Sequence, residues 1–177
     1  MLPANTLILV NPYGVRKPIQ DIHINDQVVT HMREQKKVTG ILTGNMTTGS
    51  LINIEIVGYT QHIQLTEKQM MLTYPNLTLL EGKPETEIVG SIADRSFDIA
   101  WKYAKDLTTE DYIQIPTPYV HNSVQRNKIE GGDLPGSNQG LYAKIGHIQT
   151  RPYRGKMYSL IVADENSFVA RGFILRT

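Results

Sequence analysis

Whatever chemistry this 177-residue chain performs, it performs without cysteine. That removes the most nucleophilic side chain, every disulfide and any zinc site built on thiolates. The five histidines, His23, His31, His62, His121 and His147, fall at no compact metal-ligand spacing such as HExxH. His62 alternates with Ile63 and reads as a solvent-facing strand residue, with metal ligation as the alternative. Serines and histidines are scattered, so a Ser-His-acid triad could be assembled only by the fold. Gly131-Gly132-Asp133 lacks the Lys-Ser/Thr pair and preceding strand of a phosphate cradle. Two basic clusters stand out: Arg33, Lys36 and Lys37, and Arg151, Arg154, Lys156 and Arg171. They read as solvated strand edges whose charges discourage edge pairing; contact with phosphate or an acidic partner is the alternative.

Composition narrows the classes further. At 20.0 kDa the chain suits one domain, residues 1–177, large enough for its own apolar core. A formal net charge of +1 argues against a dedicated nucleic-acid or membrane-surface protein. No apolar run approaches the roughly 18 residues of a membrane span, and no basic start precedes an apolar signal segment. These features predict a soluble intracellular, cytoplasmic protein, not a secreted one.

The elements that must position any site are strands. Thr6–Val10 ends at Asn11-Pro12-Tyr13-Gly14, a turn sequence in which Pro presets one dihedral and Gly accepts positive φ. Strand signals follow at Val28–Thr30, Lys37–Leu42, Leu51–Ile56, Gln61–Leu65 and Met70–Thr73. In Leu51–Ile56 the alternation of Ile52, Ile54 and Ile56 predicts a half-buried antiparallel strand. Phe97–Lys105 fits either two helical turns or a strand over Asp98–Trp101. Val124–Gly140, with its Gly, Asp, Pro and Asn, predicts an exposed insertion loop spanning about residues 122–140.

The chain also repeats itself. Pro18–Val29 parallels Tyr103–Gln114, each with an Asp-aliphatic pair, a polar turn, a second Asp and then a strand. Lys37-Val38-Thr39-Gly40-Ile41 likewise matches Ala143-Lys144-Ile145-Gly146-His147-Ile148. The expected meaning is two similar β subdomains related by a pseudo-two-fold axis.

Four stretches in order resemble the Hint (hedgehog/intein) family over nearly the whole chain. Leu2–Val10 with Lys17–Ile22 is similar to the opening splicing block, and Ile63–Gln69 to the block that carries a Thr-x-x-His motif. Trp101–Pro116 resembles the segment preceding the homing endonuclease of many inteins, and Gly155–Leu175 the closing blocks. The spacing is that of a compact intein without endonuclease. The resemblance implies an all-β fold of two pseudo-symmetric subdomains forming a flat, horseshoe-like disc.

It also implies a reaction that this sequence is poorly equipped to perform. The family's acyl shift needs a side-chain nucleophile at the first residue, where this chain has the thioether of Met1. Thr66 retains the Thr of Thr-x-x-His, but Gln69 stands where the histidine polarises the scissile amide, and an amide does not titrate near neutral pH. The closing-block histidine position falls on Asn166. The family's terminal His-Asn, which cyclises to a succinimide, is replaced by Arg176 and Thr177. Thr66 alone also reads as a β-propensity residue at a strand end. Asp164, beside Glu165 and Asn166, reads as a solvated hairpin turn.

The expectation is therefore a catalytically degenerate Hint-like domain and not an enzyme. It would act as a structural or protein-interaction module, with a phage virion or assembly component as the favoured context. Its partners would be proteins, including further copies of itself, with no cofactor, metal, membrane or nucleic acid. The loop 122–140 and the aromatics Tyr119, Tyr142 and Tyr153 are the expected contact residues. The alternative is a splicing intein whose ends were altered by context.

Overall fold

The computed structural model describes residues 1–58, 61–75, 99–116, 133–134 and 140–177. Among them the only helical pieces are 3-10 turns, and strands supply the architecture. Strands β1 (Leu2–Pro3), β2 (Leu7–Leu9) and β3 (Arg16–Pro18) lead through a 3-10 turn at Ile19–Asp21 to β4 (Gln27–Val29), β5 (Gln35–Met46) and β6 (Ser50–Ile56). The second run repeats this order. It comprises β7 (His62–Leu65), β8 (Met70–Thr73), β9 (Ala100–Tyr103), a 3-10 turn at Ala104–Asp106, β10 (Tyr112–Pro116), β11 (Asp133–Leu134), β12 (Gly140–Pro152) and β13 (Gly155–Val162). A final hairpin, β14 (Ser167–Ala170) and β15 (Phe173–Arg176), closes the chain.

The two runs are related pair by pair. β2 pairs with β3 as β8 pairs with β9, and β4 pairs with β5 as β10 pairs with β12. Between the runs the pairing is crossed: β5 lies against β13 while β12 lies against β6. The last hairpin serves both, β14 pairing with β2 and β15 with β8. Register irregularities fall at equivalent places, at Thr39 on β5 and Gly146 on β12. The extra residue of a bulge bends the strand and raises its twist. Ala163 N–H accordingly reaches the Lys37 carbonyl at 2.9 Å, and Val57 N–H reaches the Lys144 carbonyl at 3.1 Å.

Local sequence explains the matching turns. In each, an Asp carboxylate accepts the backbone N–H three residues earlier, so the chain reverses into the following strand. Asp26 takes the His23 N–H at 2.9 Å and Asp111 takes that of Thr108 at 2.8 Å. Each Asp also holds a lysine from the strand before the turn, Lys17 at 2.8 Å and Lys102 at 2.6 Å.

Ile8, Ile19, Ile54, Ile63, Phe168 and Phe173 belong to one continuous core and are fully buried. Burying each such side chain contributes roughly 1.5–3 kcal/mol, which orders strands too short to persist alone. β6 departs from simple alternation. Ile54 and Ile56 are buried as expected and Ile52 only partly, while Leu51 and Asn53 on the opposite face are buried too, so both faces of the strand are covered.

Three local expectations change. In the Phe97–Lys105 segment, Ala100–Tyr103 is a strand on β8 and Ala104–Asp106 a single 3-10 turn; residues 97–98 lie outside the described residues. Within the predicted loop 122–140, Asp133–Leu134 forms a strand against Ala143 and Tyr142, because β12 offers it an edge. The rest of that loop up to residue 139, and Tyr119, lie outside the described residues. Tyr142 is not an exposed aromatic: it is 6% exposed, edge-on to Tyr74 at 4.9 Å, with Gln114 donating to its hydroxyl at 3.4 Å. Tyr153 is half-buried, and its hydroxyl donates to the Lys156 carbonyl at 3.1 Å across the β12–β13 turn.

Candidate functional site

β1, the β7–β8 turn and the end of β15 meet at one corner. The Met1 nitrogen donates to Thr66 Oγ1 and to Gln69 Oε1, both at 2.8 Å. Thr66 N–H returns a bond to the Met1 carbonyl at 3.0 Å, and Gln69 N–H closes the turn on the Thr66 carbonyl at 3.0 Å. The Gln69 amide then donates to the Arg176 carbonyl at 2.6 Å. Gln69 is 3% exposed, so its acceptor and its donor are both used inside the protein. Burial lowers the Met1 amine to about 6, since water no longer stabilises its charged form.

The far side of the corner is held by Thr177. Its N–H donates to the Asn166 carbonyl at 2.9 Å, its hydroxyl donates to the Leu160 carbonyl, and Ser159 Oγ lies 3.4 Å away. The fold therefore gathers Met1, Thr66, Gln69, Thr177 and the backbone of Arg176. The remaining side chains singled out in the sequence make no hydrogen bond within the corner. Asn166 is exposed at φ 50°, contributing to the corner through its carbonyl alone. The Arg176 guanidinium lies over the Trp101 ring at 5.5 Å. Asp164 occupies an exposed turn at φ 65°, 3.4 Å from Lys36.

Sequence reasoning passed over two residues here. Ser159 is 3% exposed and faces the corner; the signal was a lone polar residue in the apolar alternation of Met157–Val162. His31 is the other. Its Nδ1 lies 2.8 Å from Ser167 Oγ and 3.2 Å from Glu165 Oε2, and its ring stands edge-on to Trp101 at 5.7 Å. Serine and acid share one ring nitrogen, whereas a proton relay needs them on opposite nitrogens, and Ser167 is fully buried. This cluster locks the β14 hairpin and is no triad. Among the described residues, no group of three His, Asp or Glu side chains could hold a metal.

The corner residues Met1, Thr66, Gln69, Ser159, Arg176 and Thr177 themselves line a cleft of about 940 Å³. It is lined from both the β5·β13 ribbon and the β6·β12 ribbon, whose buried residues share one core. Leu42 of β5, Ile52 of β6 and Ile148 of β12 supply its apolar walls. Lys68, Lys105 and Arg176 also line it.

Comparison with known proteins agrees with this arrangement at the level of fold. A DnaB intein from Synechocystis superposes with a TM-score of 0.64 at 14% identity, over 99% of this chain and 96% of the intein. An intein-like domain from Clostridium thermocellum gives 0.62 at 14% identity, over 99% of this chain and 97% of that domain. The chain has the Hint fold. The gp41-1 intein gives 0.59 at 13% identity over 99% and 97% of the two chains. No protein-family model and no curated protein matches this Hint-fold chain. Fold similarity at such identities carries no residue roles across; those rest on the geometry above.

Proposed function

We propose that this Hint-fold chain no longer splices and serves as a protein-interaction module. The observation that carries the reading is the bonding of Gln69. It touches the Met1 nitrogen and the Arg176 carbonyl at once, where a splicing domain needs a group able to give a proton to the scissile amide. A carboxamide offers no such proton at neutral pH. Met1 brings a thioether with no proton to lose, and Thr177 has no side-chain amide to cyclise. The corner thus acts as a clamp that joins the first and last strands through the bonds of Met1, Gln69 and Arg176. The partners are proteins, and a virion or assembly particle is the proposed setting.

Tag proteins fused to both ends, followed by intact mass, test the loss of chemistry. A single unbroken mass is expected. A spliced or cleaved product from the native sequence would overturn the reading in favour of an intein altered at its ends.

A further inference from the structure

Among the described residues the cleft is lined by aliphatic and polar side chains and by more cations than acids. Lys17, Lys102 and Lys144 each meet a carboxylate at 2.8, 2.6 and 2.9 Å. Lys68, Lys105 and Arg176 meet none among the described residues. The Lys105 ammonium lies instead 5.9 Å from the Tyr103 ring centre, and the Arg176 guanidinium over Trp101. Glu67 is the one side-chain carboxylate lining the cleft among the described residues. Three like charges at one opening raise a positive potential there, which a chain of net charge +1 does not carry on average.

The strands beside the cleft also keep open edges. On β5, pairing with β4 stops at Lys37; on β12, pairing with β10 stops at Lys144. Beyond those residues the second edge of each strand has no partner strand among the described residues. Unpaired backbone N–H and C=O groups in an edge accept an added extended segment. The cleft volume lies at the upper end of ligand-pocket sizes, roughly 300–1,000 Å³.

We propose that the cleft takes an extended acidic segment of a partner protein. Its carboxylates meet Lys68, Lys105 and Arg176, and its alternate aliphatic side chains lie against Leu42, Ile52 and Ile148. The inference rests on the cleft being free of splicing chemistry, and it names the kind of partner that the interaction module receives. Arginine's planar fork gives Arg176 a bidentate option, while the two lysines act as point charges.

The test uses the full chain and three capped hexapeptides that alternate valine with glutamate, with glutamine or with lysine. The glutamate peptide is expected to bind, to shift the amide resonances of Leu42, Ile52 and Ile148, and to weaken as salt is added. Lys68→Glu with Lys105→Glu is expected to weaken it at least about tenfold. Both lysines are exposed, so the variant should keep its circular dichroism and melting temperature; Arg176→Gln is a second, independent variant expected to weaken binding less. Absence of cleft shifts at millimolar glutamate peptide, equal binding of the lysine peptide, or binding untouched by charge reversal would overturn the proposal. An inert tag fusion together with that result sinks the acidic partner alone, whereas a spliced fusion sinks the underlying reading whatever the peptides do.

Discussion

The two halves of the molecule build the same turn from the same residues and then bury it to different depths. Lys17 and Asp26 in the first half correspond to Lys102 and Asp111 in the second, and each Asp caps the turn before its strand. The Asp26 side chain is 33% exposed and that of Asp111 only 5%. Asp111 sits under β12, and its backbone carbonyl accepts the Ile145 N–H at 3.0 Å; Asp26 accepts from Val38 N–H at 2.8 Å but faces water. Local chemistry fixes the shape of the turn twice over. Burial decides how much stability hangs on it.

Breaking that parallel should show the asymmetry directly. Asp111→Ala leaves the Lys102 ammonium and the Thr108 N–H without their buried partner and should cost about 3 kcal/mol in urea unfolding. A cost below that of Asp26→Ala would refute the ranking. The bulges give the next contrast. A Cβ at Gly146 would stand 2.8 Å from Val57 Cγ2 and 3.0 Å from the Val57 backbone nitrogen. Gly146→Ala should therefore cost about 1–2 kcal/mol, whereas Thr39→Ala at the equivalent exposed position should stay within roughly 0.5 kcal/mol. Equal melting-temperature shifts for the two variants would contradict that.

Asp26→Ala should be the mildest of the carboxylate changes, about 0.5–1 kcal/mol, since its ion pair is solvated. Its effect should also depend on pH. The Lys17 hydrogen bond, followed by the His23 N–H, holds the Asp26 carboxyl below its ordinary value of 3.8. The stability it contributes is present above that value and is lost as pH falls through the lowered one. The difference between wild type and Asp26→Asn, measured along a urea series, should therefore shrink below pH 3.8. A difference that grows on acidification would reverse the assigned sign.

Much of this was readable before any coordinates because the repeat is carried by polar residues with one local job. Asp21 and Asp26 against Asp106 and Asp111 mark turns whose geometry depends on neighbours in sequence. Strand positions followed from β-branched runs such as Leu51–Ile56. The site was less legible. Gln69 and Met1 are 68 positions apart and meet only because β1 and the β7–β8 turn are brought together by strands between them. The apolar cover over Tyr142 comes from Tyr74, a contact that no periodicity in β12 announces. Asn166 held its place in the order of blocks, but its left-handed backbone turns the side chain out to solvent, which residue type alone does not reveal.

The central claim is that chemistry is lost in the interior of this Hint fold as well as at its ends. The most direct test restores the ends alone. Met1→Cys, Arg176→His and Thr177→Asn are placed together in a chain flanked by tag proteins, with Gln69 and Asn166 untouched, and the intact mass is followed with time. The account predicts one unbroken mass for this variant, and cleavage or splicing only once Gln69→His is added. Ligated tags released from the ends-restored chain would contradict it, and would show Gln69 to be no barrier to the reaction.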